Sequence, residues 1–204
     1  RFTFGSEGTI FASALAKGVV IDVSGVSAGG VIDHYTIESY GDVNVPTDWE
    51  GGKVLDASWI SFILCYSNEC QGGGFTMSNS HFIVQSHHFD NVNTSGSNLT
   101  GIEFWARDIP TTITDSTFIV NSQWESDFYV LNGIILDFSY MPFVLLRNLY
   151  IYTNVDVTDT SSILPDTSIL SSYYLAGVSV YFYQEDRPCD WTIEDTYVHV
   201  NGDW

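Results

Sequence analysis

The sequence predicts an all-β chain wound as a single-stranded right-handed parallel β-helix of about five coils. Three observations carry this. One strand is written several times, as FTMSNSHFIVQS at 75–86, TITDSTFIVNS at 112–122 and WTIEDTYVHVNG at 191–202. A second strand type, opening on glycine, alternates with it. The spacing between the two types repeats more closely than independent hairpins would require.

The first strand type has two apolar columns with period 2, the mark of a strand with one buried face. One column aligns Ile37, Val84, Val120, Tyr152 and Val200; two residues earlier stand Tyr35, Phe82, Phe118, Tyr150 and Val198. From these, Phe82, Val84, Phe118, Val120, Tyr150, Tyr152, Val198 and Val200 are expected to form the core ladder. A small or polar column follows (Ser39, Ser86, Ser122, Asn154, Gly202) and predicts a tight turn repeated in register.

The second type reads GVVIDVSG (18–25), GIEFWARD (101–108), GIILDFSY (133–140) and GVSVYFYQ (177–184), with WISFIL (59–64) as a degenerate copy. Its leading glycine points to a positive φ or a close backbone approach. Its outward residues include Asp22, Glu103 and Asp137, expected to solubilise the sheet. Nineteen residues separate Gly18 from Ile37, Gly101 from Val120 and Gly133 from Tyr152. A weaker third element places Leu99, Leu131 and Leu175 two residues before a glycine. Each repeat is then a strand, a short turn, a second strand, a long variable loop and a short third strand. The chain winds, each copy lying about 4.8 Å from the last. Residues 1–17 are read as an N-terminal strand and partial cap, and 18–204 as the β-helix. The alternative architecture is a β-sandwich or jelly roll.

The segments STFIVNS and FIVQS resemble degenerate coils of the right-handed parallel β-helix, or pectate-lyase-like, superfamily, over about residues 18–202. The resemblance is architectural and brings no diagnostic motif. It implies that a catalytic member would cut or epimerise polysaccharide on a lateral groove. The hydrolases' adjacent aspartate pair does not occur here. The lyases' basic residue could come only from Arg107 or Arg147, which fall in different strand types.

Composition narrows the function classes. The chain has 204 residues, 25 acidic against 6 basic, and a net charge of −19. That charge opposes nucleic acid, anionic membrane and polyuronate as partners. No apolar run is long enough for a membrane-spanning helix. The opening RFTFGSEGTIFASALAKG has neither an initiator Met nor the form of a signal peptide, so the chain is expected to be a segment of a longer precursor. Cys65 and Cys70 bracket CYSNEC and are expected to pair in a disulfide, leaving Cys189 over. The sequons at Asn93 and Asn98 predict glycosylation. With the disulfide, they favour a secreted, extracellular or cell-surface setting.

Candidate chemistry is sparse, because acid–base work needs two groups at one bond. His87-His88 could ligate a metal but reads as a loop pair; His34, His81 and His199 read as surface residues. Asn154, Asp156 and Asp159 have alternate acidic spacing without a full calcium loop, so no cofactor is expected and calcium is the candidate kept. Trp49, Trp105, Trp124, Trp191 and Trp204 could stack on sugars or on a protein. No catalytic residue is expected. The function expected is a structural module that forms or decorates a surface fibre, sheath or adhesin stalk; the alternative is a carbohydrate-binding or polysaccharide-processing β-helix. Neither end of the coil carries a polar cap, so self-association into a filament, or continuation in further sequence, is expected.

Overall fold

A computed structural model describes residues 2–6, 15–22, 30–41, 43–44, 56–63, 74–91, 98–106, 108–126, 130–159, 174–182 and 190–202. These residues form strands in three sheets, and every described pairing is parallel. Sheet A holds β1 (Phe2–Ser6), β4 (Thr36–Gly41), β5 (Val43–Asn44), β8 (His81–Asn91), β11 (Thr117–Ser126), β14 (Tyr150–Asp159) and β17 (Tyr197–Asn201). Sheet B holds β2 (Leu15–Asp22), β6 (Asp56–Ile63), β9 (Asn98–Trp105), β12 (Val130–Asp137) and β15 (Tyr174–Tyr181). Sheet C holds β3 (Gly30–Asp33), β7 (Phe75–Ser78), β10 (Thr111–Thr114), β13 (Phe143–Arg147) and β16 (Asp190–Glu194). The chain visits B, C and A in turn, five times over: a parallel β-helix of five coils. A sandwich would need antiparallel hairpins, and the described strands make none. β1 adds a further rung to sheet A alone, against β4.

The bore is filled by like on like. Phe82 and Phe118 stack with centroids 5.4 Å apart. Phe75, Phe104, Phe138 and Phe182 form a second run at 6.1, 5.6 and 5.6 Å. Val84 and Val120 lie side by side, fully buried. Each fully buried side chain of this size contributes about 1.5–3 kcal/mol of transfer free energy.

The register corrects two rows of the ladder read from the sequence. Phe118 is opposite Ile151, and Val120 is opposite Thr153. Tyr150 and Tyr152, expected inside, therefore face outward, Tyr150 being 42% exposed. In the first coil Ile37 pairs with Phe82 and Ser39 with Val84, so Tyr35 belongs to the corner and not to the core. The repeated 19-residue spacing was thus partly coincidental. Val198 and Val200 continue the corrected columns, opposite Ile151 and Thr153.

Two further expectations change. The small polar column is not a turn: β8, β11 and β14 run through it, and β8 carries one extra residue at His87-His88, where pairing jumps from Ser86–Ser122 to Phe89–Trp124. Such a bulge is the simplest account of the histidine pair. The leucine-before-glycine element is not a third strand but the start of the sheet B strands β9, β12 and β15. The third sheet lies instead in FTMS, TTIT, FVLLR and DWTIE.

The leading glycines serve close approach. A Cβ on Gly133 would stand 2.5 Å from the Gly177 carbonyl and 2.6 Å from Thr153 Cγ2. One on Gly101 would meet the Gly133 carbonyl and the Val120 methyls at 2.6–2.7 Å. Sheet B turns against the valine column of sheet A there, and no side chain fits.

Candidate functional site

Sheets C and A meet at a two-residue corner in every coil. Its first residue has positive φ each time: His34 (56°), Asn79 (48°), Asp115 (50°), Asn148 (53°) and Asp195 (47°). Asn, Asp and His tolerate this left-handed conformation best among non-glycine residues. Side chains at and beside the corners bond along the axis. Asn79 Nδ2 donates to Asp33 Oδ1 at 3.0 Å, and Asn148 Nδ2 donates to Asp115 Oδ1 at 2.7 Å. Ser80 and Ser116, next in the chain, turn their hydroxyls back on the carbonyls of Ser78 and Thr114 at 2.7 Å and close each corner.

These bonds set the charges. The Asn79 amide, then the Ser78 hydroxyl and His34, hold the Asp33 carboxyl down to about 2. His34 Nδ1 lies 2.8 Å from Asp33 Oδ2. The Asn148 amide, then Thr114, likewise lowers Asp115.

Just beyond the corner, the outer face of sheet A carries the tyrosines that the slipped register had placed inside. Tyr150 and Tyr197 rings lie 5.4 Å apart and 8° from parallel. Tyr152 and His199 lie 5.3 Å apart at 15°. The Tyr197 hydroxyl is 3.2 Å from His199 Nδ1. The next outward column is a row of amides: Asn201 Nδ2 donates to Asn154 Oδ1, and Asn154 Nδ2 to Asn121 Oδ1, both at 2.9 Å. Asn154 is thus a rung of this row. Between the corner and the tyrosine column runs a shallow groove of about 290 Å³ lined by Asp115, Ser116, Thr117, Asn148, Leu149, Tyr150, Asp195 and Tyr197.

The outer face of sheet B corrects another expectation. Glu103 and Asp137 do not solubilise it; they are 3% and 9% exposed, beside buried Ser61, Thr100, Asn132 and Ser179. Asp137 Oδ1 accepts from the Ser139 N–H at 3.0 Å and from the Ser139 hydroxyl, so it shapes the turn after β12. Arg147 is exposed on sheet C, opposite Thr114 and Glu194. Trp191 stacks on Phe182 at 5.4 Å.

Among the described residues no three His, Cys, Asp or Glu side chains gather as a metal site. Cys65, Cys70, Cys189, Asn93, Arg107, Trp49 and Trp204 lie outside the described residues. Asn98 opens β9, its backbone in register with Asp56 and Val130. The corner column is what the sequence reading missed. Its signal was present: His34, Asn79, Asp115, Asn148 and Asp195 each stand three residues before the first bore residue of their sheet A strand.

Comparison with protein-family models, with curated proteins and with solved structures gives no match. The class the fold defines is a parallel β-helix.

Proposed function

We propose that the chain is an extracellular structural β-helix module that forms or decorates a surface fibre, sheath or stalk, and that the face of its fifth coil receives a further coil. The observation that carries this is the state of that face. Ile193, Val198 and Val200 point into the bore but are 45–50% exposed. Their counterparts in the coils above are 0–2% exposed: Leu146 over Ile193, Ile151 over Val198, Thr153 over Val200. Trp191 is 58% exposed on the same face. Among the described residues β15, β16 and β17 each stand at the edge of their sheet, and an apolar edge of this kind is a template for another strand.

The rung count constrains what can add there. Two intact copies placed end to end would meet through β17 and β1 in sheet A, with one rung vacant in sheets B and C. A copy closes the joint only if its β1 withdraws; continuing polypeptide closes it without rearrangement. Sedimentation and electron microscopy of the protein test the reading, with and without residues 2–6. Filaments or higher oligomers that disappear in Val198→Lys/Val200→Lys support it. A monomer at every concentration, with and without β1, counts against assembly from copies; a chain extended beyond residue 204 whose stability is unchanged removes the remaining form.

A further inference from the structure

The sequence holds the dipeptide Asn-Gly twice, as Asn132-Gly133 and Asn201-Gly202. In this pair the asparagine side chain is most open to attack by the next backbone nitrogen, because glycine has no Cβ to shield it. The fold asks for both residues at both places. Asn132 Oδ1 accepts from the Ser179 hydroxyl at 3.0 Å, and a Cβ on Gly133 would press on the Gly177 carbonyl. Asn201 Nδ2 donates to Asn154 Oδ1 at 2.9 Å. Gly202 has a φ of 109°, and a Cβ there would run into the Val155 carbonyl of the coil above. The settings differ. Asn132 is 1% exposed, in β12 between Thr100 of β9 and Ala176 of β15. Asn201 is exposed on β17, which among the described residues stands at the edge of sheet A. The pairing of β17 with β14 ends at Asn201, so the 201–202 peptide lies past the last described pair.

We propose that Asn201 is a self-modification site: it deamidates through Gly202 and thereby closes β17 to a further strand. The Gly202 nitrogen gives its proton to water and bonds to Asn201 Cγ; the Cγ–Nδ2 bond breaks and ammonia leaves. Water then opens the cyclic imide at either carbonyl, giving aspartate or isoaspartate. The sum is amide plus water to acid plus ammonia, with no oxidant, reductant or enzyme. Ring closure requires the 201–202 peptide to turn out of the strand. At a sheet edge this is a local opening of low cost. At Asn132 the same turn breaks pairing with two neighbours and drives Gly133 against the Gly177 carbonyl and Thr153. The product changes the edge. An ionised aspartate is acceptor-only, so the donation to Asn154 is lost, and charge on an edge strand is a way β-proteins blunt such edges. Isoaspartate adds a methylene to the main chain and breaks the period of two. The effect on assembly rests on the stacking reading. A strand docked under β17 would hold Asn201 as β15 holds Asn132, so copies that assemble keep the amide, and copies that stay single lose it and their receptive edge together.

Peptide mapping by mass spectrometry, on the chain held at neutral pH, reads conversion at both sites. In the folded chain Asn201 should convert at least about tenfold faster than Asn132; in urea the two should convert alike. Asn201→Gln, whose longer side chain closes the ring poorly, should abolish conversion there. Asn201 is exposed, so a melting curve close to wild type should show that this variant and Asn201→Asp fold. In sedimentation Asn201→Asp should assemble less than wild type and Asn201→Gln at equal concentration. Wild type diluted until it is monomeric should convert faster than the assembled protein. Equal rates at Asn201 and Asn132 in the folded chain overturn the site, as does conversion of Asn201 in urea alone. Asn201→Asp that assembles as readily as wild type overturns the effect on the edge. A chain that converts at Asn201 and never assembles supports the site and counts against assembly from copies, so the two readings fail separately.

Discussion

Coil three and coil five are written in the same pattern and fare differently. Phe118 and Val120 occupy the two bore columns in coil three, and Val198 and Val200 occupy them in coil five. The first pair is fully buried; the second is about half exposed. Nothing in the strands themselves accounts for this. A solenoid coil is stabilised by the coils on either side, so its stability is a sum of intrinsic terms and nearest-neighbour interfaces. Among the described residues, coil three packs between coils two and four and coil five packs against coil four. Pattern specifies where a side chain points, and neighbours decide how much burying it is worth.

Substitutions can widen or close that difference. The largest effect is expected for Phe118→Ala, which empties a site packed on Phe82 and bounded by Ile151. It should cost about 3–5 kcal/mol in denaturant unfolding, whereas Val198→Ala in the same column should cost less than about 1 kcal/mol. Equal costs would mean that coil five is covered in solution. Next is Gly133→Ala. Its Cβ would press on the Gly177 carbonyl, backbone that has no rotamer to change, and a loss of about 2–3 kcal/mol in the same assay is expected. A smaller effect of opposite sign should come from Thr153→Val. The Thr153 hydroxyl is buried with no hydrogen-bond partner, and a methyl in its place keeps the shape. A gain of about 1 kcal/mol, seen as a higher melting temperature, is expected.

The smallest expected effect is one of pH. Asp33 has its folded pKa lowered to about 2, against about 3.9 for a free Asp. A depressed carboxyl pKa gives stability that is present above the unfolded value and is lost as pH falls through the folded one. The contribution should therefore fade between about pH 4 and pH 2. Asp33→Asn should flatten the acid limb of the melting curve in that window and leave the neutral region with a slightly less stable first corner. An unchanged acid limb would show that the Asn79 and Ser78 bonds to Asp33 do not persist in solution.

How far this was legible in the sequence depends on the coil. In coils two and three Ile83 or Ile119 sits between the two bore residues, but His81 and Gln85, or Thr117 and Asn121, flank them and fix the outer face; in coil five His199 and Asn201 do the same. In coil four the segment LYIYTN is apolar on both faces. Periodicity of two fixes that there are two faces and not which is inside, and a slip of one residue exchanges them. That ambiguity is what lets the pattern turn Tyr150 and Tyr152 inward. The residue that breaks it is Asn148: set beside Asn79, Asp115 and Asp195 as a corner, it places Ile151 and Thr153 in the bore. The third sheet was missed for a related reason. Its strands are four or five residues long, and a two-residue corner joins them to sheet A without the glycine or proline that usually announces a boundary. The groove was illegible because it needed both corrections: its aromatic wall came from the slipped tyrosines and its polar wall from the unread corner. The burial of Glu103 and Asp137 lay beyond periodicity altogether. Alternation says that a side chain leaves the bore, and not whether water waits outside.

The corner column also ranks the coils by how readily each could be lost. In this column the Asp115 carboxylate receives its bond from the Asn148 amide of the coil below; in coil one the column holds His34, and Asn79 reaches Asp33 beside it. Evolution lengthens and shortens repeat proteins by copying or losing coils. Excising coil four alone would set Asp115 directly on Asp195, two like charges at one strand spacing, which is destabilising. Excising coils three and four together would set Asn79 over Asp195 and keep amide against carboxylate. Excising coil three alone would set Asn79 over Asn148, amide on amide as in the row of Asn121, Asn154 and Asn201, so coil four is the one whose single loss the corner column opposes.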